Sequence, residues 1–228
     1  MQKPVLQFDV CGQGAAFGVE LRGRPVSTLA GKQLVLPTHD AAQALAAQMA
    51  TQAKEAPLYR LASLWIDKVS SHETEVIGEL DSFLDTDMLC YRATDPADLV
   101  TWQQNHWNPV LVWTQTQGVF DLQTTTFTAP VTHGKTAHEA VCQKLAALSS
   151  ARLTCVLAAA RLANSTLLGW AFGAGHLDAE ALFKAACADD LYQQNRYGVE
   201  PLHQARLDLQ QQHFKDVEYF RTLIAENL

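Results

Sequence analysis

The stretch LVLPTHDAAQALAAQM, residues 34–49, marks where the chain changes from a strand pattern to a helix pattern. Before Pro37, from Val5 onward, short apolar runs are punctuated by glycines, which is typical of strands and turns. After Pro37, Thr38 can cap a helix whose apolar positions recur at helical spacing. The sequence therefore predicts a small β-rich N-terminal part that is followed by helices.

Helical periodicity dominates the remainder, with one interruption. Residues 119–128 are rich in threonine and in β-branched or aromatic residues, which predicts a strand. Because a single strand needs a partner, this strand is expected to pack back on the N-terminal sheet. We predict an α+β fold of two domains, a β-rich domain with helices over residues 1–84 and a mainly helical domain over residues 85–228.

Composition excludes several classes of partner. The chain has 228 residues, 48% of them hydrophobic, and a formal net charge of −7. With no run of lysine and arginine, binding to nucleic acid is not expected. The most apolar window, residues 155–175, contains Arg161, Asn164 and Ser165, which are costly inside a bilayer, so no membrane insertion is expected. The N-terminus has no signal-like apolar run, which favours a bacterial cytoplasmic protein or a mature form that has already been processed.

The residues that usually carry catalysis or bind metals are scattered. Five cysteines occur without a CxxC pair, and the histidines lack metal-ligand spacing, so neither a metal nor a cofactor is expected. No GxSxG motif is present. The acidic residues between positions 73 and 87 are typical of a solvated helix face. These features predict a protein that is not an enzyme.

One segment keeps an enzymatic alternative open. The sequence APVTHGKT, residues 129–136, loosely matches a phosphate-binding loop through Gly134, Lys135 and Thr136. Its first position is alanine, however, and Pro130 lacks an amide donor. The simpler interpretation is that Thr136 and Glu139 form a capping box at the start of a helix.

Two aromatic segments, DMLCYR at residues 87–92 and WNPVLVW at residues 107–113, are unusually dense in large side chains. Tryptophan, tyrosine and arginine are frequent anchors at protein interfaces, but tryptophan is also mostly buried. A buried junction between the domains is the favoured interpretation of both segments. Pro109 in the second segment is expected to break or kink the helix there. The candidate junction residues are Asp87, Cys90, Tyr91, Arg92, Trp107, Pro109 and Trp113.

These motifs together resemble the ATP-twelve family of assembly chaperones, which act on the α subunit of the F-type ATP synthase catalytic head. The similar segments are an opening hairpin at residues 21–38, a second landmark at residues 58–67, the two aromatic segments, and DLYQ with YG at residues 190–198. The chain departs from the usual pattern at Leu29, at Met49 and at Tyr197. The similarity extends over roughly residues 19–225 and is more specific than a single short motif.

The resemblance implies an ATP-independent chaperone that holds the unassembled α subunit, covers its β-subunit interface and is a monomer when free. From the residues themselves, we expect a client-binding face before Gly198, formed by Asp190, Gln193, Arg196, Tyr197 and Glu200. The alternative for Tyr197 is a capping contact at the helix end. The alternative functions are a nucleotide-dependent enzyme that uses residues 129–136, or a binding module for a different client.

Overall fold

A computed structural model describes residues 6–14 and 16–225, so the predictions for the N-terminus up to Val5 lie outside the described residues. The chain divides into two compact units. The first contains the chain as far as Glu73, Ser149–Cys155 and the segment from Asp216 onward, and the second contains Thr74–Leu148 and Val156–Lys215. The units therefore interleave along the sequence, and the domain boundary between residues 84 and 85 stays a prediction.

A small antiparallel sheet lies in the first unit. Its strands are β1 (Phe8–Gln13), β2 (Ala16–Leu21), β3 (Arg24–Pro25) and β4 (Val35–Leu36), and β2 pairs with each of the others. Gly14 joins β1 to β2 at a φ of 65°, a conformation that glycine adopts without strain. Between β3 and β4, the predicted hairpin closes through the Thr28 amide, which donates to the Lys32 carbonyl at 2.9 Å.

Two helices of the first unit follow the sheet, α1 (His39–Gln52) and α2 (Pro57–Asp67). As predicted, Thr38 caps α1, because its hydroxyl accepts a hydrogen bond from the Ala41 amide at 3.1 Å. The α1 residues Leu45 and Met49 are buried, in agreement with the apolar spacing. The change of period after Pro37 thus coincides with the change from sheet to helix.

The remaining helices are α3 (Glu73–Ser82), α4 (Ala97–Thr116), α5 (Lys135–Ala146), α6 (Ser150–Ala163), α7 (Thr166–Gly173), α8 (Ala179–Ala186), α9 (Ala188–Tyr197) and α10 (Pro201–Leu223). Every residue of α7 is buried, and this helix contacts α4 and α8 in the second unit. A small N-terminal sheet followed by helices confirms the predicted α+β class. Within the described residues, no helix is both long and apolar enough to cross a membrane.

Two predictions of local structure are wrong. The predicted break at Pro109 is absent, because helix α4 continues through this residue, whereas a kink there stays a prediction. Pro109 is exposed, as is Asn105 four residues earlier, so water can satisfy the carbonyl that loses its amide partner.

Residues 119–128 form no regular strand. Thr125 makes only an isolated bridge with Tyr91, and Asp121 has a φ of 64°, which is incompatible with extended backbone. This segment therefore pairs with the segment 87–92 inside the second unit, and the predicted strand on the N-terminal sheet is absent.

Candidate functional site

The turn from α9 to α10 has a well-defined backbone. Gly198 ends α9 at a φ of 92°, and its amide donates to the Gln194 carbonyl at 2.9 Å. A residue with a Cβ atom would be strained at this angle. Glu200 then accepts hydrogen bonds from the amides of Leu202 at 3.2 Å and His203 at 2.8 Å, and so it caps α10.

Four large apolar side chains at this turn and in the first half of α10 are exposed to solvent. Tyr197 is 77% exposed, Val199 64%, Leu202 80% and Leu209 57%. Leu202 and Leu209 are seven residues apart and so lie on the same face of α10. We call Tyr197, Val199, Leu202 and Leu209 the apolar patch. Exposed apolar groups of this kind are typical of protein interaction sites.

Charged side chains lie on the same two helices as the apolar patch, and one of them contacts it. Arg196 donates to the Asp98 carboxylate at 2.6 Å and to the Tyr192 hydroxyl at 2.7 Å, and its guanidinium lies 5.8 Å from the Tyr197 ring centre. The hydrogen bond to Tyr192 and the charge of Asp98 raise the pKa of Arg196, so this side chain remains a cation. Asp190 accepts from Arg206 of α10 at 2.8 Å.

The structure therefore brings only some of the predicted client-binding residues together. Arg196 and Tyr197 are in contact, and Gln193 is exposed on the same short helix. Glu200 is engaged in capping a helix, while Asp190 forms an ion pair. The binding role of all five residues stays a prediction.

Sequence reasoning missed Val199, Leu202 and Leu209. Two apolar stripes with a seven-residue spacing lie on different faces of α10. Leu207 and Phe214 form the buried stripe, whereas Leu202 and Leu209 are exposed. The sequence shows both apolar repeats, but their spacing does not tell which of the two is buried against other helices and which is exposed to solvent.

The segment 87–92 is largely a buried structural element of the second unit. The Asp87 carboxylate is fully buried and accepts hydrogen bonds from the amides of Leu89 at 3.0 Å and Leu167 at 2.9 Å. It thereby fixes the segment to the start of α7. Burial raises the pKa of Asp87 to about 6, even though its hydrogen bonds oppose the shift. The Tyr91 hydroxyl donates to the Asp85 carbonyl at 3.3 Å.

The two tryptophans of α4 are also held by neighbours within the second unit. The Trp107 indole is buried and donates to the Ala185 carbonyl at 2.8 Å. The Trp113 ring stacks on His176, with ring centres 4.9 Å apart, and contacts Trp170. These contacts stabilise one unit, and a role as a junction between the domains stays a prediction.

A buried cysteine and histidine meet although the sequence did not predict it. The Cys90 sulfur lies 3.8 Å from Nε2 of His133. Nδ1 of His133 accepts a hydrogen bond from the Gln123 amide at 3.1 Å, so the ring proton is on Nε2. Nε2 donates this proton to the Leu84 carbonyl, which lies 3.0 Å away. Nε2 therefore has no free lone pair for the thiol. Burial raises the pKa of Cys90 to about 12, so this pair is not an activated nucleophile.

The loose phosphate-loop match has neither the flanking strand nor the free lysine that such a loop requires. No regular strand lies in the described stretch between the end of α4 and residue 129, and the lysine of the match, Lys135, begins α5 and pairs with Glu139 at 3.3 Å. The predicted cap by Thr136 is also wrong, because Gly134 holds the capping position without a side-chain bond. Among the described residues, no group of three histidine, cysteine or acidic side chains is placed to hold a metal ion.

Comparisons with known proteins agree with the motifs. A model of the ATP12 chaperone protein family matches residues 6–115. The crystal structure of Atp12 from Paracoccus denitrificans has a TM-score of 0.82 and 26% identity, with 95% of each chain covered, and an aspartate-to-lysine variant of that protein gives the same values. A candidate chaperone from Agrobacterium tumefaciens has a TM-score of 0.77 and 25% identity, with 93% of this chain and 83% of that chain covered.

The family model and the solved structures are independent lines of agreement with the resemblance seen in the sequence. The model covers the sheet, α1 to α3 and nearly all of α4. The Paracoccus fold extends the similarity to 95% of the chain, including helices beyond that match. The resemblance is therefore confirmed: the chain matches the ATP12 chaperone protein family over residues 6–115 and shares the fold of Paracoccus Atp12 over 95% of its length.

Proposed function

We propose that this chain is an ATP-independent assembly chaperone that holds the unassembled α subunit of the F-type ATP synthase. The observation that carries the proposal is the apolar patch, which leaves four large side chains uncovered in a folded chain that resembles the ATP12 chaperone family. An unassembled subunit exposes apolar surface that aggregates unless another protein covers it. A complementary apolar surface on the chaperone supplies that cover.

The patch and its charged neighbours have the composition of a binding surface. Tyr197 offers a large exposed aromatic anchor, Arg196 contacts its ring, and Gln193 adds an exposed polar group on the same helix. Such a combination of an apolar centre and a polar rim is usual at protein interfaces. Because Gly198 and Glu200 fix the backbone here, little ordering is needed when a client binds.

Co-expression with the host α subunit tests the proposal. We expect the chain to raise the amount of soluble α subunit, and to do so equally after nucleotide has been removed. The variant Leu202→Asp places a charge in the patch and is expected to lower the co-purified α subunit about tenfold. Val112→Asp is the matched control, because Val112 is 57% exposed on α4 and lies outside the patch.

Wild type and Leu202→Asp together test two claims, that the chain holds the α subunit and that the apolar patch is the surface that binds it. If the wild-type chain leaves the α subunit insoluble, the proposed function is wrong. If Leu202→Asp holds the α subunit as well as the wild type does, the function stands and the patch is not the client surface. Circular dichroism of both variants establishes that the fold is intact.

We further propose that the chaperone covers the surface of the α subunit that later receives the β subunit. Purified β subunit should then displace the chaperone from the α subunit, because two proteins cannot occupy one surface. Stable co-elution of all three proteins in gel filtration would contradict this. The same experiment tests the proposed monomeric state of the free chaperone through its elution volume and scattering mass.

We also propose that the chain has no catalytic activity of its own. The neutral Cys90–His133 pair and the ion-paired Lys135 both support this view. Calorimetric titration with magnesium and ATP should give no saturable heat up to millimolar nucleotide. A saturable signal that is lost in Lys135→Ala would instead favour the nucleotide-dependent alternative.

A further inference from the structure

Arg92 is a cation without an ionic partner in the part of the chain that the structure describes. Its Nε and Nη2 atoms are shielded from solvent and have no hydrogen-bond acceptor. The guanidinium carbon lies 5.1 Å from the centre of the Trp107 ring. A cation–π contact is favourable, but it leaves the N–H groups without acceptors. A guanidinium with two shielded and unpaired N–H groups is a donor that lacks its anion.

Arg92 also lines an open recess of about 310 Å³ in the second unit. This volume suits a small organic group. Gln103, Gln104, Asn108 and Thr124 form the polar wall of the recess, and Val100 and Leu111 form the apolar wall. None of the lining side chains is acidic, so the recess itself does not neutralise the arginine.

The polar wall has one fixed amide and two that are exposed. The Gln103 side-chain oxygen accepts from the Ala93 amide at 2.8 Å, and its nitrogen donates to Asp189 at 2.9 Å. Both polar atoms of the Gln103 side chain are therefore engaged, and Gln103 positions the backbone next to Arg92. Gln104 and Asn108 are exposed, and because they are four residues apart on α4 they lie on one face. Their amides can donate to a ligand in the recess.

We propose that this recess binds one carboxylate group, which pairs with the Arg92 guanidinium. Nε and Nη2 lie on the guanidinium edge whose two N–H bonds run parallel, and that edge holds a carboxylate through two hydrogen bonds. Since both atoms are covered in the free chain, the guanidinium turns toward the recess as the carboxylate enters. The change would be sensed by Trp107, whose ring lies against it.

Charge matching favours a carboxylate over a phosphate. Arg92 is the sole cation among the residues that line the recess. One carboxylate neutralises one guanidinium, whereas a phosphate dianion carries both charges on a single group and would bring an uncompensated negative charge into a partly apolar site. The carboxylate has two possible sources, an acidic side chain of a bound protein or a small free organic acid.

Nuclear magnetic resonance of the full chain can detect the pairing directly. The Arg92 Nε–H and Trp107 Nε1–H signals are followed during titration with N-acetylglutamate N-methylamide, which mimics a glutamate in a protein. The matching glutamine compound is the neutral control, succinate represents a free organic acid, and inorganic phosphate represents other anions. We expect a saturable shift at millimolar glutamate compound or succinate, and none with the glutamine compound.

Variants test whether the recess is the site. Arg92→Lys retains the charge but lacks the two parallel donors, so the affinity should fall about tenfold. Asn108→Asp places a carboxylate in the recess wall and should also weaken the probe about tenfold, since it competes for Arg92 and adds repulsion. Asn105→Asp is the matched control, because Asn105 is exposed on α4 and does not line the recess, and it should change the affinity by less than about twofold.

Each outcome decides the proposal. Saturation by the glutamate compound but not by succinate assigns the site to a protein carboxylate, and the reverse assigns it to a free acid. The proposal is overturned if neither probe saturates, if phosphate binds as well as they do, or if Asn105→Asp weakens binding as much as Asn108→Asp. Because the Asn108 variant keeps Arg92 in place, a folding defect of Arg92→Lys would not hide the result.

Discussion

Replacing Asp87 by asparagine should change how the stability of the chain depends on pH. Asp87 is fully buried, and its two carboxylate oxygens accept the amides of Leu89 and Leu167. Burial raises its pKa from the ordinary 3.8 to about 6. Asparagine has nearly the same shape, yet it does not titrate, so it removes the pH-dependent part of the stability.

The sign follows from the protons that each state binds. Between the two pKa values, the native carboxyl holds a proton that the unfolded chain has lost. The contribution of Asp87 to stability is therefore fully present below about pH 4 and is lost as the pH rises through about 6. The total change is about 3 kcal/mol at 1.36 kcal/mol per pKa unit, of which about 1.3 kcal/mol falls between pH 5 and pH 7.

Asparagine also alters the hydrogen bonds. One of its two terminal atoms is a donor, so one backbone amide that now meets an oxygen loses its acceptor, at a cost of about 1–3 kcal/mol. We expect the variant to be less stable than the wild type at pH 5. The difference in the free energy of unfolding should shrink by about 1.3 kcal/mol at pH 7, where the wild-type carboxyl is ionised.

Urea unfolding followed by tryptophan fluorescence at both pH values provides the measurement. Asp95→Asn is the control, because Asp95 is exposed and the charge change is the same. Other groups that titrate, such as His133 and His138, are present in every variant and cancel in the difference. If the free energies of unfolding of the wild type and of Asp87→Asn differ by the same amount at the two pH values, the reasoning is refuted.

Three further predictions concern stability. Gly169→Ala should destabilise the chain by about 1–3 kcal/mol, because the added Cβ atom would lie 2.7 Å from the Cβ atom of Ala160. Its control, Gly78→Ala in α3, meets no neighbour within 4 Å and should stabilise the chain by about 0.5–1 kcal/mol. The midpoints of urea unfolding distinguish the two variants. Thr38→Ala removes the cap of α1 and should cost about 1 kcal/mol, measured by the same assay. Burial lowers the pKa of His138, but hydrogen bonds to Asp81 and Asp85 outweigh this effect, and the pKa is raised overall. The charged ring therefore stabilises the fold at low pH, and His138→Gln should lose more stability below about pH 6 than at about pH 8. An equal loss at both pH values would contradict that assignment.

The sequence predicts the fold well where one local signal dominates. Proline and threonine at positions 37 and 38 mark the start of α1, and glycines mark the turns of the sheet. The prediction is wrong where a local preference is overridden by its surroundings. Pro109 remains inside α4 because it faces solvent, and residues 119–128 form no strand because Asp121 turns the backbone and Thr125 pairs with Tyr91.

The candidate site was predictable only in part, because its chemistry depends on partners that are distant in sequence. Glu200 and Arg196 both belong to the predicted client-binding set. In the structure Glu200 caps a helix, and Arg196 pairs with Asp98, which is 98 residues away in the sequence. Likewise, the contact between Cys90 and His133 joins residues that are 43 positions apart. Sequence spacing does not reveal such pairs when no motif links them.

The apolar patch combines two requirements that usually conflict, a stable fold and an uncovered apolar surface. Helix α10 meets the first through Leu207 and Phe214, which are buried. It meets the second through Leu202 and Leu209, whose exposure does not weaken that core. Because the glycine turn and the Glu200 cap hold the patch in place, a client would bind a surface that is already ordered, and the net charge of −7 opposes self-association of the free chain. If the proposed ATP-independent function is correct, the chain derives its affinity for a client from this preformed surface.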